Sequence, residues 1–181
     1  MNWPNRLSIL RVALIPACVL LLQFPNTACQ VLALIVFIVA ACTDFLDGYL
    51  ARKHGLITNL GKFLDPVADK LLVLSTFIAL CGLGRCPAWV CIVILFRELA
   101  VDGLRLIAVE QGKVIAAGKL GKIKTTLQMF TLIVLMLNFW HMFAPAVEWT
   151  MLGLSVVMTL VSGIDYFVHN LGVLLEKKAS V

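Results

Sequence analysis

Charge is scarce in this chain. Only 14% of its 181 residues are Asp, Glu, Lys or Arg, 61% are hydrophobic, and the mean hydropathy is +1.00. Soluble globular domains carry about a quarter charged and about half apolar residues. We therefore expect an integral membrane protein rather than a soluble domain. The length allows about six spans, if each takes roughly 20 residues and a short connection.

Other features are missing as well. The six cysteines form no CxxC pair and mostly lie within apolar runs, which argues against a thiolate metal site, although Cys81 and Cys86 flank a short loop that could carry a disulfide. No small-x-small cleavage site follows the first apolar stretch, so we interpret that stretch as a span and not as a signal peptide. The net charge of +5 does not require nucleic acid, because a bilayer also attracts cytoplasmic cations.

Six apolar segments are bounded by Gly, Pro or charged residues. They cover 10–24, 29–50, 61–82, 87–109, 120–143 and 147–171. The opening stretch 1–11 is amphipathic, with Trp3 suited to a membrane interface, and is predicted to form a short interfacial helix. The sequence thus predicts an all-α protein with six transmembrane helices in a single domain over 1–181.

Lys and Arg predict the orientation of these spans. They concentrate in the N-terminal segment, the second and fourth connections and the C-terminal tail, whereas the alternate loops contain only Arg85. Cytoplasmic loops carry the excess of cations in membrane proteins. Both termini and the second connection are therefore expected on the cytoplasmic side.

The stretch 43–70 combines four carboxylates with small residues. On a helix, offsets of three, four, seven and eight residues share one face, and offsets of four do so repeatedly. One face would carry Asp44, Asp47, Gly48, Ala51 and Arg52, and a face of the next helix Gly61, Asp65 and Asp69. If the two faces meet, they form a four-carboxylate cage beside exposed backbone, where a bulky ligand can approach.

Four carboxylates near a membrane require a cation, because each unpaired charge costs about 2.5 to 3.5 kcal/mol on insertion scales. The array contains oxygen ligands and no His or Cys, which favours Mg²⁺ or Mn²⁺ over zinc. Two such ions about 4 Å apart can hold the attacking and leaving oxygens of a phosphoryl displacement. The residue types therefore indicate a phosphate-bearing substrate.

The fourth apolar segment has a polar stripe. Arg97, Glu98, Asp102 and Arg105 fall within an arc of roughly 140°. Together with Lys122 or Lys124, these arginines would suit an acceptor that carries its own phosphate. The two lysines lie about 200° apart on a helix, so we expect one to point inward. Thr125 shares the face of Lys122, which favours Lys122 as the inward one.

These charged residues could also have purely structural roles. The stripe on the fourth segment could be an internal salt-bridge set that packs helices. The lysines could instead set topology by binding anionic headgroups.

The whole 43–70 pattern resembles a known signature. The spacing D-x2-D-G-x2-A-R-x8-G-x3-D-x3-D is met at every position and resembles the signature of the CDP-alcohol phosphotransferase family. Four further segments are similar to a bacterial branch of that family, which usually has Thr in place of Ser8. They are PNRLSILR at 4–11, REL at 97–99, GKIKTTLQ at 121–128 and SGIDYF at 162–167.

The resemblance implies a reaction and a set of roles. The phosphatidyl group of CDP-diacylglycerol would pass to glycerol 3-phosphate with CMP leaving, in a homodimer in the lipids of a bacterial inner membrane. Asp69 would be the general base and would share two Mg²⁺ or Mn²⁺ ions with Asp44, Asp47 and Asp65. The CDP-diacylglycerol site would comprise Asn5, Arg11, Gly48, Ala51, Arg52 and Gly61. The acceptor phosphate would be bound by Arg97, Arg105, Lys122 and Lys124.

Other functions stay open at this point. Inositol phosphate, or phosphatidylglycerol as in cardiolipin synthesis, could be the acceptor. A divalent-cation transporter would also explain intramembrane carboxylates. That class gives no reason for Gly48, Ala51, Arg52 and Gly61 on the same faces.

Replacing Asp69 tests its role as base. Asp69→Asn keeps the size of the side chain but cannot take a proton from the acceptor hydroxyl. We expect turnover to be abolished while binding of CDP-diacylglycerol stays measurable in a direct binding assay. Near-normal turnover would remove Asp69 from that role.

Overall fold

The computed structural model describes the backbone of residues 3–54, 59–116 and 118–175. Side chains are described for 9–43, 67–116, 118–173 and 175. The described residues are helical and contain no strand, which confirms the all-α prediction. The α-helices are α1 (Trp3–Leu22), α2 (Thr27–His54), α3 (Asn59–Gly82), α4 (Ala88–Glu110), α5 (Lys119–Leu137), α6 (Pro145–His169) and α7 (Leu171–Leu175). A 3₁₀ turn at Asn138–Trp140 follows α5.

The N-terminal boundary differs from the prediction. A short interfacial helix was expected before the first span, but the described residues form one continuous helix, Trp3–Leu22. The reason is local: no glycine interrupts this segment, and Pro4 lies in the first turn, where proline is tolerated. Pro16 is accommodated inside the helix. The break comes before Pro25, and the side chain of Asn26 then accepts a hydrogen bond of 3.0 Å from the backbone N–H of Ala28 at the start of α2.

The six long helices contain 19 to 28 residues, or about 28 to 42 Å at 1.5 Å per residue. Within the described residues, two stretches are both long and apolar enough to cross a membrane, Lys119–Trp140 and Pro145–His169. Two shorter apolar helices cover Ile9–Leu22 and Thr27–Thr43. The number of six spans stays a prediction.

The chain forms two compact units. The first comprises Met1–Cys86 and Leu135–Met142. In it α1 packs against α2 and α3, and the guanidinium carbon of Arg85 lies 5.3 Å from the centre of the Phe139 ring. All six cysteines of the chain are thiols, so no disulfide joins Cys81 to Cys86.

The second unit comprises Pro87–Val134 and Phe143–Val181. In it α4 packs against α6 and α7, and its core includes Val101, Leu104 and Tyr166. Polar side chains connect α5 to α6: Gln128 Nε2 donates to Thr159 Oγ1 at 3.0 Å, and Thr131 Oγ1 donates to the carbonyl of Met151 at 3.3 Å. Small polar residues of this kind join helices in membranes.

The described side chains form a buried apolar core, but many large apolar side chains are also exposed, including Phe96 at 74%, Leu106 and Val168. Several polar and charged side chains are buried beside the apolar core, and they are Arg11, Thr76, Glu98, Lys124, Gln128, Thr131, Asn138, Ser155, Thr159 and Ser162. Soluble monomers rarely expose large contiguous apolar patches. The surface is therefore suited to apolar surroundings.

Candidate active site

The signature aspartates lie on two helices, as their spacing requires. Asp44 and Asp47 belong to α2, and Asp65 and Asp69 belong to α3. Of these four side chains only that of Asp69 is described, and it is half-buried. The predicted metal cluster therefore lies mostly outside the described side chains, and those that are described contain no group of three or more metal-ligating residues.

The predicted donor-site residues are distributed over three helices of the first unit. Gly48, Ala51 and Arg52 lie on α2, and Gly61 lies on α3. These residues and Asn5 of α1 have side-chain positions outside the described part. Arg11 of α1 is described, and its side chain is completely buried. A buried guanidinium requires partners within the protein, so Arg11 is an interior residue and not a headgroup contact.

Three segments of the second unit meet at Arg97. The side chain of Arg97 passes between two glycines, Gly163 of α6 and Gly121 of α5. A methyl group added to Gly163 would lie 3.1 Å from Arg97 Cγ, and one added to Gly121 would lie 3.8 Å from Arg97 Nη2. The first distance is tighter than ordinary van der Waals contact. The REL, GKIKTTLQ and SGIDYF segments therefore converge on one guanidinium.

Glu98 connects Arg97 to α5. Its Oε1 accepts a hydrogen bond of 3.2 Å from Arg97 Nη1 and another from Lys124 Nζ. Glu98 is only 7% exposed, and Lys124 is buried as well. Neighbouring residues on a helix point about 100° apart, so both side chains must bend toward each other to make this contact. The result is a buried group of two cations and one carboxylate.

The expectation that Lys122 is the inward-facing lysine is wrong. Lys122 is exposed, whereas Lys124 is buried and bound to Glu98. Lys124 lies one helical turn before Gln128 and two turns before Thr131, which are the polar residues that face α6. Thr125, which favoured Lys122, donates to the carbonyl of Gly121 on its own helix. It therefore marks no inward face.

Arg105 occupies a separate position on α4. It lies eight residues, or about 12 Å, along the helix from Arg97. Its Nε donates to Tyr166 Oη at 3.0 Å, and its guanidinium carbon lies 5.4 Å from the centre of the Tyr166 ring. Tyr166 is buried, so it holds the guanidinium of the half-buried Arg105 in place.

Sequence reasoning placed Glu98 in the polar stripe but left it out of the site. A signal was present, because the buried side of α4 carries Val90, Ile94, Glu98, Val101 and Leu104 at spacings of three and four residues. A glutamate in an apolar series of this kind is a buried charge. Tyr166 and Gly163 lie in the SGIDYF segment, but no local pattern identifies their contacts with α4.

Comparison with known proteins identifies the class. Residues 1–161 match the family model described as CDP-alcohol phosphatidyltransferase, and the chain belongs to this family. The resemblance of the 43–70 signature to the family is therefore confirmed.

Three proteins with similar sequences narrow the relationship within the family. The chain is 41% identical to the CDP-diacylglycerol--glycerol-3-phosphate 3-phosphatidyltransferase of Bacillus subtilis (strain 168), over 93% of this chain and 95% of that protein. It is 37% identical to the protein of the same name from Rickettsia typhi (strain ATCC VR-144 / Wilmington), over 92% and 95%. It is also 37% identical to the probable phosphatidylglycerophosphate synthase of Mycobacterium tuberculosis (strain ATCC 25618 / H37Rv), over 94% and 82%.

The two lysines of α5 provide a matched test of the buried charge group. Lys124→Met removes one of the two cations that contact the Glu98 carboxylate, and we expect a loss of about 3 to 5 kcal/mol in stability. Lys122→Met removes an exposed cation and should change stability by less than about 0.5 kcal/mol. Unfolding of both variants in the same detergent measures the difference. Equal losses would contradict the assignment of Lys124 to the interior.

Proposed function

We propose that this protein transfers the phosphatidyl group of CDP-diacylglycerol to glycerol 3-phosphate and releases CMP. The observation that carries the proposal is the similarity to the Bacillus subtilis transferase, 41% identity over 93% of this chain. The complete eight-position signature in 43–70 supports the same reaction. The cationic side chains of α4 and α5 support an acceptor that carries a phosphate.

We further propose that the chain spans a bacterial cytoplasmic membrane six times, as a single domain, with both termini and the active site cytoplasmic. The many exposed apolar side chains and the helix lengths of about 28 to 42 Å support spanning of a hydrocarbon core about 30 Å thick. The distribution of Lys and Arg supports the orientation. A homodimer is proposed on the family resemblance alone.

The donor set fits two Mg²⁺ or Mn²⁺ ions. Asp44, Asp47, Asp65 and Asp69 are hard oxygen ligands on two helices of one unit, at spacings that give each pair a common face. When bound, the ions would neutralise charge that develops on the phosphoryl oxygens. Arg52 would bind pyrophosphate oxygens of the donor, and Gly48, Ala51 and Gly61 would leave room for the nucleotide. Asn5 and the buried Arg11 would close this site from α1.

The chain's own residues would carry out the transfer in one displacement. Asp69 takes the proton of the acceptor hydroxyl as the hydroxyl oxygen attacks the phosphorus that bears the diacylglycerol. A new phosphorus–oxygen bond forms, the pyrophosphate bond to the cytidylyl group breaks, and CMP leaves with the electron pair. Arg97 and Arg105 would bind the acceptor phosphate, and Lys124 balances the charge of Glu98 beside Arg97.

Release of CMP by purified protein tests the function directly. With CDP-diacylglycerol and Mg²⁺ or Mn²⁺, we expect glycerol 3-phosphate to support the fastest release, well above inositol phosphate and phosphatidylglycerol. Faster release with one of those acceptors would reassign the acceptor but keep the reaction. If no acceptor supports release and the protein instead carries divalent cations into liposomes, the function is transport.

Arg105→Ala tests the acceptor site. Loss of a charge-assisted hydrogen bond to phosphate should raise the KM for glycerol 3-phosphate about tenfold or more. The KM for CDP-diacylglycerol should stay within about twofold. Lys122→Ala, which removes an exposed cation, is the matched control and should change neither constant by more than about twofold. Equal effects of Arg105→Ala on both substrates would reassign Arg105 to a structural role.

A further inference from the structure

Packing does not explain the buried carboxylate of Glu98. The residue occupies the buried side of α4 between Ile94 and Val101, where an apolar side chain would avoid the cost of burying a charge. Ionisable residues at such positions in membrane proteins are predominantly functional. Nothing in the proposed reaction requires Glu98 to touch a substrate, since a carboxylate would repel an acceptor phosphate. Its role must therefore act through its neighbours.

The contacts of Glu98 fix one neighbour in particular. Glu98 Oε1 holds Arg97 Nη1 at 3.2 Å, and Lys124 holds the carboxylate from α5. The aliphatic part of Arg97 is confined by Gly163, where an added methyl would approach Cγ to 3.1 Å. Arg97 is thus restrained at its stem by α6 and at its guanidinium by Glu98.

One N–H group of Arg97 stays unpaired within the described part of the chain in this orientation. Its Nε is buried and has no hydrogen-bond partner among the described residues, and an unpaired buried donor is unfavourable. The side chain is 11% exposed, so part of the group can still reach a ligand. The contact with Glu98 occupies Nη1 and sets the orientation of the guanidinium, which favours a binding role for the other N–H groups.

We propose that Glu98 and Gly163 are positioning residues for acceptor recognition, which hold Arg97 in the orientation that binds the phosphate monoester of the acceptor. The proposal rests on the proposed function. Lys124 also takes part, because it neutralises Glu98. The group of Arg97, Glu98 and Lys124 then has a net charge of +1. Without the carboxylate, the Arg97 guanidinium would lose the contact that holds its orientation, and the two cations would also repel each other.

Glu98→Gln tests the carboxylate. Glutamine keeps the size of the side chain but loses the charge that holds both cations. The KM for glycerol 3-phosphate should rise at least tenfold, the KM for CDP-diacylglycerol should stay within twofold, and kcat should recover at saturating acceptor. Glu98→Gln combined with Lys124→Met restores the charge balance. The double variant should regain thermal stability but keep the raised acceptor KM, which a merely structural role for Glu98 would not predict.

Gly163→Ala tests the stem of Arg97 without any change of charge. The added methyl displaces Arg97 and should raise the KM for glycerol 3-phosphate about three- to tenfold. Gly153→Ala is the matched control, because it makes the same substitution on α6 where nothing lies within 4 Å of the added methyl. It should leave both KM values unchanged. If Glu98→Gln does not fold, the comparison of Gly163→Ala with Gly153→Ala still tests the positioning role.

The outcomes separate two failures. If the wild-type protein uses glycerol 3-phosphate but both Glu98→Gln and Gly163→Ala leave its KM unchanged, or raise the KM of both substrates equally, the positioning role is overturned and the proposed function stands. If the wild-type protein releases no CMP with any phosphate-bearing acceptor, both are overturned.

Discussion

The structure depends on a constraint of polarity: the exterior of its helices is apolar, so each charge inside must find its counter-charge within the protein. Phe96 and Leu106 are exposed on the same helix that buries Glu98. In apolar surroundings an uncompensated ion costs several kcal/mol, and water cannot relieve it. The contacts of Glu98 with Lys124 and Arg97 follow from this requirement. Arg105 is half-buried, and its Nε donates to the neutral hydroxyl of Tyr166. The helical backbone meets the same requirement by bonding to itself.

Residue spacing within one segment correctly predicted features that belong to a single helix. The offsets in 43–70 required helices around Asp44 and Asp69, and α2 and α3 contain them. Local signals were less reliable at the N-terminus, where amphipathic and apolar stretches suggested two elements. No glycine lies between Trp3 and Leu22, the helix accommodates Pro16, and the change of polarity alone did not end it.

Contacts between distant segments could not be predicted from periodicity. The periodicity of α5 allows either Lys122 or Lys124 to point into the protein. Which of them does so depends on a partner residue on another helix. Glu98 lies 26 residues away in sequence and selects Lys124. The same holds for Gly163, whose lack of a side chain matters because Arg97 of α4 lies against it. A sequence records that a glycine is present but not which neighbour needs the space.

The two halves of the proposed chemistry are therefore encoded differently. The proposed donor site and reaction depend mainly on residues within 43–70, on α2 and α3, with Asn5 and Arg11 added from α1. The acceptor group of the second unit is assembled from α4, α5 and α6, and three separate segments contribute to it. Substitutions in those three helices can alter the acceptor group while the residues of the 43–70 signature stay the same.

The glycine beside Arg97 also has a consequence for the history of the chain. Since a methyl at position 163 would press on Arg97 Cγ, the order in which substitutions arise matters at these two positions. A lineage that first shortened residue 97 could then fill position 163 with alanine or serine, and the return of arginine would then be less favourable than it is beside glycine. Arg97 and Gly163 are far apart in sequence but in contact in space, so we expect substitutions at the two positions to depend on each other.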